Sequence, residues 1–225
     1  MQARRRTLKA LAAAGLLGPA GISGLIRDAL AKGEVPIRPG LNRVRGEVLV
    51  NHRLAAEGQL IRPGDTIVTG RNSEAIYVIG QDAYMQRELS TVSFGADAVQ
   101  NLMRVVSGKI LSVFGKGAKT VQTSTATIGI RGTGCYIEEE GTAAKARTYF
   151  CLCYGSVELT PNAAPHEAER YSTTHHDRPM YVHNDMKMPK MMVPAEVINH
   201  TDEELTLLEG LVGRTTPFYG TGKKY

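Results

Sequence analysis

From Val44 onward the sequence is a succession of short β-prone runs separated by Gly, Pro, Asn and Asp. Such runs, punctuated by turn-forming residues, are typical of an all-β domain. Pro63-Gly64 predicts a tight turn, because proline fixes φ and glycine tolerates a positive φ. Glu140-Gly141 lies between two alternating runs and predicts a hairpin. We therefore expect a mainly β domain over residues 44–160, with short antiparallel strands in a β-solenoid or a sandwich-like arrangement.

Three stretches of this region resemble the FecR domain, which is named for the ferric-citrate regulator. They read GEVLVN, AAEGQLIRPGDTIVTGRNSEA and VQTSTATIGIRGTGCYIEEEGTAAKARTYFCLCYGSVEL, and the most specific piece is TATIGIRGT at residues 125–133. The resemblance covers about residues 44–160 and implies an exported, mostly β module. Its best-known members relay a signal across the bacterial inner membrane.

In the signal-relaying members of that family, a sigma-factor-binding segment and a membrane helix precede this domain. The sequence offers no counterpart to the first two parts, so the resemblance is to the freestanding exported form. It implies binding of a partner protein or a cell-envelope ligand, with a role in envelope signalling or regulation. The partner itself is not specified by any motif.

Residues 1–31 have the layout of a secretory signal peptide, with a basic start, an apolar middle and an Ala-Leu-Ala end that predicts cleavage after Ala31. Arg4 and Arg5 resemble the pair of the twin-arginine export motif, although Thr7 stands where an aromatic residue is usual. This predicts a periplasmic or otherwise exported protein. The alternative is an amphipathic helix that stays attached at a membrane surface. The apolar stretch is shorter than the roughly 20 residues a spanning helix needs, so we expect no stable membrane span after cleavage.

The basic charge of the chain lies largely in this leader. Of 27 Lys and Arg and 22 Asp and Glu, five bases and one acid fall within residues 1–31, which leaves 22 bases and 21 acids. A nucleic-acid-binding domain usually carries a basic stripe in its folded part. The nearly neutral remainder therefore predicts no nucleic-acid partner.

The segments that flank the β domain differ from it in composition. Residues 32–43 predict a linker, residues 161–199 an irregular His- and Met-rich extension, and residues 214–225 a tail. Residues 200–213 predict a short C-terminal helix, because Thr201 and Glu204 form a capping-box pattern ahead of an apolar stripe. An isolated helix of this length is marginal in water, which favours docking onto the β domain over partner binding.

Cys151 and Cys153 are two residues apart on a predicted strand, so their side chains share one face. Their Cα atoms would be about 6.6 Å apart, which is near the upper limit of the Cα–Cα separation that a disulfide bond allows. Cys135 is the other available partner, but a tight turn at Glu140-Gly141 would place it opposite about Ala146. The structural interpretation is therefore buried thiols or a single disulfide, with no cofactor.

A metal site is the alternative interpretation of the two thiols. His175 and His176 follow the Cys-x-Cys strand, and two thiolates with one or two imidazoles would make a tetrahedral zinc site. Because adjacent residues on a strand point to opposite faces, we expect one of these two histidines to ligate rather than both. Thioether-rich surroundings would suit copper(I) instead, and the nearby methionines are Met180, Met186, Met188, Met191 and Met192.

The sequence carries no catalytic signature. It has no G-x-S-x-G elbow, no Walker loop and no helical H-E-x-x-H. Ser172, His175, His176 and Asp177 are close in sequence, but the members of a catalytic triad meet through the fold rather than through adjacency. We therefore predict a non-enzymatic protein.

Overall fold

The computed structural model describes residues 38–96, 101–141 and 145–220. Over these ranges the chain is mainly β with one short helix near its C-terminus, as the sequence predicts. The predicted signal peptide and its cleavage site lie outside the described residues. No helix in the described part is both long and apolar enough to cross a membrane.

Fourteen strands in the described ranges form one mixed, open sheet. The strands are β1 (Gly40–Arg45), β2 (Val48–Val50), β3 (Arg53–Leu54), β4 (Thr66–Thr69), β5 (Glu74–Ile79), β6 (Asp82–Gln86), β7 (Ser90–Phe94), β8 (Leu102–Val113), β9 (Ala118–Gln122), β10 (Ala126–Glu140), β11 (Arg147–Pro161), β12 (Glu169–Thr173), β13 (Met180–His183) and β14 (Met192–Pro194). A 3-10 turn, Pro165–Glu167, precedes β12, and helix α1 spans Asp202–Leu211.

The main path through the sheet runs β14-β13-β11-β10-β9-β8-β7-β4-β2-β3. Strands β1, β5 and β6 attach to it through the pairing of β6 with β8, and β12 attaches through β11. The described pairings are antiparallel except that of β8 with β9, which is parallel.

The long hairpin of β10 and β11 organises the sheet, because each strand changes partner along its length. The first part of β10 pairs with β9 and the later part with β8, while β11 pairs first with β13 and then with β12. The hairpin register shifts between Arg131 and Cys135. Gly155 has φ of +98°, and a Cβ there would lie 2.6 Å from the methyl group of Thr133. Glycine is therefore required at this bend.

Alternation along these strands separates two apolar clusters. The inner cluster includes Cys135, Ile137 and Leu152, and the outer cluster includes Tyr136 and Cys151. Helix α1 and the residues after it cover the outer cluster. Leu205 and Leu208 of α1 are fully buried there. The helix thus docks onto the β domain, as its apolar stripe predicts.

The start of α1 matches the predicted capping box. The Thr201 hydroxyl accepts a hydrogen bond from the backbone N–H of Glu204, and the Glu204 carboxylate accepts one from the backbone N–H of Thr201. Glu204 also forms an ion pair with Arg87 of the sheet at 2.7 Å. Capping and ion pairing therefore fix the beginning of the helix against the sheet.

The structure differs from the sequence-based boundaries in three places. Strands β12, β13 and β14 lie within residues 161–199, which were expected to be irregular, because β11 and β13 supply their pairing partners. Strand β1 begins at Gly40, inside the expected linker, and pairs with β5. In the expected tail, Thr216 and Phe218 are buried. Short strands that depend on distant partners leave little local signal.

The hairpin turn near Glu140 is longer than the sequence suggested. Glu140 pairs with Arg147, and Gly141, which follows β10, has φ of +76°. Cys135 consequently lies opposite Leu152 rather than Ala146. This register puts Cys135 beside the Cys-x-Cys pair in the sheet but on its other face.

Candidate metal centre

Cys151 and Cys153 project from β11 into the outer cluster, and neither has any exposed surface. Cys135 belongs to the inner cluster. All three cysteines are free thiols in this structure. The strand alternation therefore places Cys151 and Cys153 on one face of the sheet and Cys135 on the other.

Two histidines from separate loops approach the two thiols. His176 follows β12, where its backbone N–H donates to the carbonyl of Cys153 at 2.9 Å, and its φ is +54°. Its Nδ1 atom lies 3.5 Å from the Cys151 Sγ. His200 lies two residues before the start of α1, and its ring stacks on Tyr136 with centroids 4.6 Å apart. Both histidines are buried.

The four side chains together present a compact donor set. One ligand atom each from Cys151, Cys153, His176 and His200 lies within 4.8 Å of all the others. In a tetrahedral zinc site with ordinary bond lengths, two nitrogens are about 3.3 Å apart and a nitrogen and a sulfur about 3.6 Å. The corresponding separations here are 3.1 Å, from His176 Nδ1 to His200 Nε2, and 3.5 Å, from His176 Nδ1 to Cys151 Sγ.

The hydrogen bonds of the two imidazoles identify which nitrogens carry protons. His176 Nε2 lies 3.1 Å from the Asp202 carboxylate, and His200 Nδ1 lies 2.6 Å from the carbonyl oxygen of Ile198. Because both partners are acceptors, each of these nitrogens must donate. In the neutral rings, His176 Nδ1 and His200 Nε2 therefore hold lone pairs that point toward each other. Two facing lone pairs repel unless a cation lies between them.

The two thiols interact with each other. A hydrogen bond from the Cys153 thiol holds the pKa of Cys151 well below its usual range. Burial raises the pKa of Cys153 well above its usual range. The two sulfurs are thus joined by the proton of the Cys153 thiol. A metal ion bound by both would take the place of that proton.

Asp202 connects this set to a neighbouring histidine. Its carboxylate accepts from His176 and also from His175, whose Nε2 lies 2.8 Å from Asp202 Oδ2. A carboxylate that accepts the second N–H of a ligating histidine fixes the tautomer and orients the ring. His200 has the equivalent support from a backbone carbonyl. Both imidazoles are therefore held in the orientation that ligands would need.

The sequence-predicted site residues divide into two groups. The structure brings Cys151, Cys153 and His176 together, while His175 contacts Asp202 instead. The two histidines occupy a turn, not a strand, so the alternation rule does not decide between them. His200 was missed, although it precedes the capping box, which fixes its position relative to α1.

The methionines of the extension are dispersed. Met192 packs against the inner cluster, and Met186 is 72% exposed. Neither therefore lies with Cys151 and Cys153 in the outer cluster. This distribution weakens the case for a thioether-rich copper site.

The contacts in this cluster also match those of a catalytic triad. Cys151 would be the nucleophile, His176 the base and Asp202 the acid that orients the base. Both Cys151 and His176 are buried beneath the C-terminal residues, however. A catalytic nucleophile has to meet its substrate, and reactive cysteines are at least partly exposed. The burial therefore favours a ligand role for these groups.

No protein-family model matches the sequence, and no curated protein matches it. Two crystal structures of a proposed anti-sigma factor from Parabacteroides distasonis are similar in fold over part of the chain. Each is 10% identical in sequence and aligns with 58% of this chain and 59% of its own, with TM-scores of 0.47 and 0.46.

Proposed function

We propose that this protein binds one zinc ion through Cys151, Cys153, His176 and His200. The observation that carries the proposal is the approach of His176 Nδ1 to within 3.1 Å of His200 Nε2, next to two buried cysteine sulfurs. Each imidazole donates its other proton to an acceptor, so neither ring can relieve the contact by changing tautomer.

The charge of the donor set favours a divalent ion. Two thiolates and two neutral imidazoles carry a charge of −2, which a divalent cation cancels. Copper(I) would leave an uncompensated negative charge in a buried site, and burying such a charge is costly. A tetrahedral arrangement of two sulfurs and two nitrogens is also typical of zinc.

Four protein ligands fill a tetrahedral zinc ion completely. Catalytic zinc keeps one position open for water or substrate, whereas structural zinc does not. We therefore propose a structural rather than a catalytic ion, in a protein without enzymatic activity. The ion would join β11, the turn after β12 and the segment that leads into α1.

The test is the metal content of the full chain, purified without a histidine tag. About one equivalent of zinc is expected for the wild type, and little for the double variant Cys151→Ser/Cys153→Ser. Cys135→Ser is the matched control, because Cys135 is equally buried but faces the inner cluster. A metal-free wild type that also fails to take up added zinc would overturn the proposal and leave a proton as the shared cation.

We further propose that the protein is exported and binds a partner protein or a cell-envelope ligand. This proposal rests on the resemblance of residues 125–133 to the FecR domain and on the leader with Arg4 and Arg5. In the fold, Ile128 and Ile130 of that motif are buried, so the motif residues form part of the core.

Two experiments address export and partner binding separately. Replacing Arg4 and Arg5 by lysine should retain the protein in the cytoplasm if the twin-arginine route is used. Cross-linking in intact cells should capture a reproducible envelope partner. Unchanged export of the lysine variant would contradict the route, and repeated cross-linking without a partner would contradict partner binding.

A further inference from the structure

The four proposed ligands lie on two sides of an internal interface. Cys151, Cys153 and His176 belong to the sheet and its connections, whereas His200 belongs to residues 195–220, which we call the C-terminal cap. The cap contains α1 and lies over the outer cluster. A metal ion bound by all four would therefore connect the cap to the sheet.

Apolar contacts hold the cap along the helix. Leu205, Leu208 and Leu211 are buried against the outer face of the sheet. The sheet side of this cluster includes Ile76, Leu111, Tyr136 and Tyr149. A helix of ten residues is not stable alone, so its structure depends on staying docked.

Polar contacts hold the cap at both ends. Near its start, the Tyr149 hydroxyl donates to the carbonyl of Glu196, and Asn199 donates to the buried Glu138 carboxylate at 2.7 Å. Near its end, Glu209 contacts the Tyr154 hydroxyl and the Arg214 guanidinium. His200 lies between these ends, at the point where the cap meets the two thiols.

The two histidines are fixed to different parts of the chain. His176 is tied to β11 by the hydrogen bond from its backbone N–H to the carbonyl of Cys153. The Nδ1 of His200 donates to the carbonyl of Ile198, which belongs to the cap. An ion bound by both imidazoles would therefore connect the cap to β11.

We propose that the bound metal holds the C-terminal cap against the sheet, a role that we call a latch. Metal binding strengthens the docking of the start of the cap on the sheet, and metal loss weakens the docking of residues 196–204 and of α1. This inference rests on the proposed zinc site. Because binding and docking are coupled, the effect is reciprocal: weakening the docking of the cap lowers the affinity for zinc.

Hydrogen exchange of the full chain, with zinc and after chelation, tests the latch. Chelation should accelerate exchange in residues 196–211 by about tenfold or more, with little change in β4 and β7, which lie away from the cap. The variant His200→Ala should show the fast exchange even with zinc present. His166→Ala is the control, since His166 is exposed in the 3-10 turn.

A second variant tests the reciprocal effect without altering a ligand. Leu208→Ala weakens the apolar contact of α1 and should lower zinc affinity, whereas Leu60→Ala on the exposed surface should not. If zinc binds and its removal leaves exchange in residues 196–211 unchanged, the latch is wrong and the zinc site stands. If zinc does not bind to the folded wild type, the proposed site itself is wrong.

Discussion

His176 and His200 face each other across 3.1 Å, although 24 residues separate them in the sequence. His176 is positioned by a backbone hydrogen bond to β11, and His200 by the residues that begin α1. Each ring directs its remaining proton to an acceptor on the far side. Two segments that are distant in the sequence therefore present lone pairs to one point, which is the arrangement a metal ion requires.

Removal of the Asp202 carboxylate should weaken zinc binding without removing a ligand. Asp202→Ala deletes the acceptor for His176 Nε2, so the ring loses its orienting partner, and affinity should fall by about 10- to 100-fold. Competition with a chromophoric chelator measures this change. Glu203→Gln is the matched control, because Glu203 is exposed in the same first turn of α1. Equal affinities for the two variants would argue against an orienting role for Asp202.

Gly210→Ala should stabilise the cap. Gly210 lies within α1, and a Cβ at this position meets no atom within 4 Å. Alanine is favoured over glycine in a helix interior by about 1 kcal/mol. Chemical denaturation should therefore show a higher free energy of unfolding. Gly213→Ala should have the opposite sign, because Gly213 has φ of +72°. A destabilised Gly210→Ala variant would indicate that the end of α1 is packed differently.

Leu208→Ala should destabilise the protein by about 2–5 kcal/mol, since the side chain is fully buried between the cap and the sheet. The measurement is the free energy of unfolding of the zinc-loaded protein. Leu60→Ala changes the same residue type at a half-exposed position and should cost much less. If the two variants have the same free energy of unfolding, the cap does not contribute to the cooperative core.

Gly155→Ala should disrupt the bend of the β10–β11 hairpin. A Cβ there would clash with Thr133, and φ of +98° is strained for alanine. The hairpin carries Cys151 and Cys153, so a lower melting temperature and weaker zinc binding are expected together. Gly58→Ala is informative as a control, because it has a similar φ of +83° but open space around it. Similar losses in both variants would show that backbone strain, not the contact with Thr133, is responsible.

Local patterns predicted much of the fold. The β runs and the capping box of α1 appear where the sequence places them, because turn chemistry and capping depend on neighbouring residues. Strands β12 to β14 were missed because they exist through pairing with β11 and β13. Their own sequences carry little strand signal.

The candidate site was only partly predictable for the same reason. Cys151 and Cys153 share a strand, so their common face follows from spacing alone. His200 reaches them only when α1 docks on the sheet, and a distance created by docking has no counterpart in sequence spacing. His175 was expected to be as good a candidate as His176. The turn instead directs His176 toward the thiols and both rings toward Asp202.

X-ray absorption at the zinc edge of the loaded full chain tests the central claim most directly, because it reports the atoms bound to the ion. The account predicts two sulfurs at about 2.3 Å and two nitrogens at about 2.0–2.1 Å. His200→Ala should replace one imidazole nitrogen by a ligand without an imidazole ring, such as water, and His166→Ala should leave the spectrum unchanged. A first shell of oxygen and nitrogen alone, without sulfur, would contradict the account.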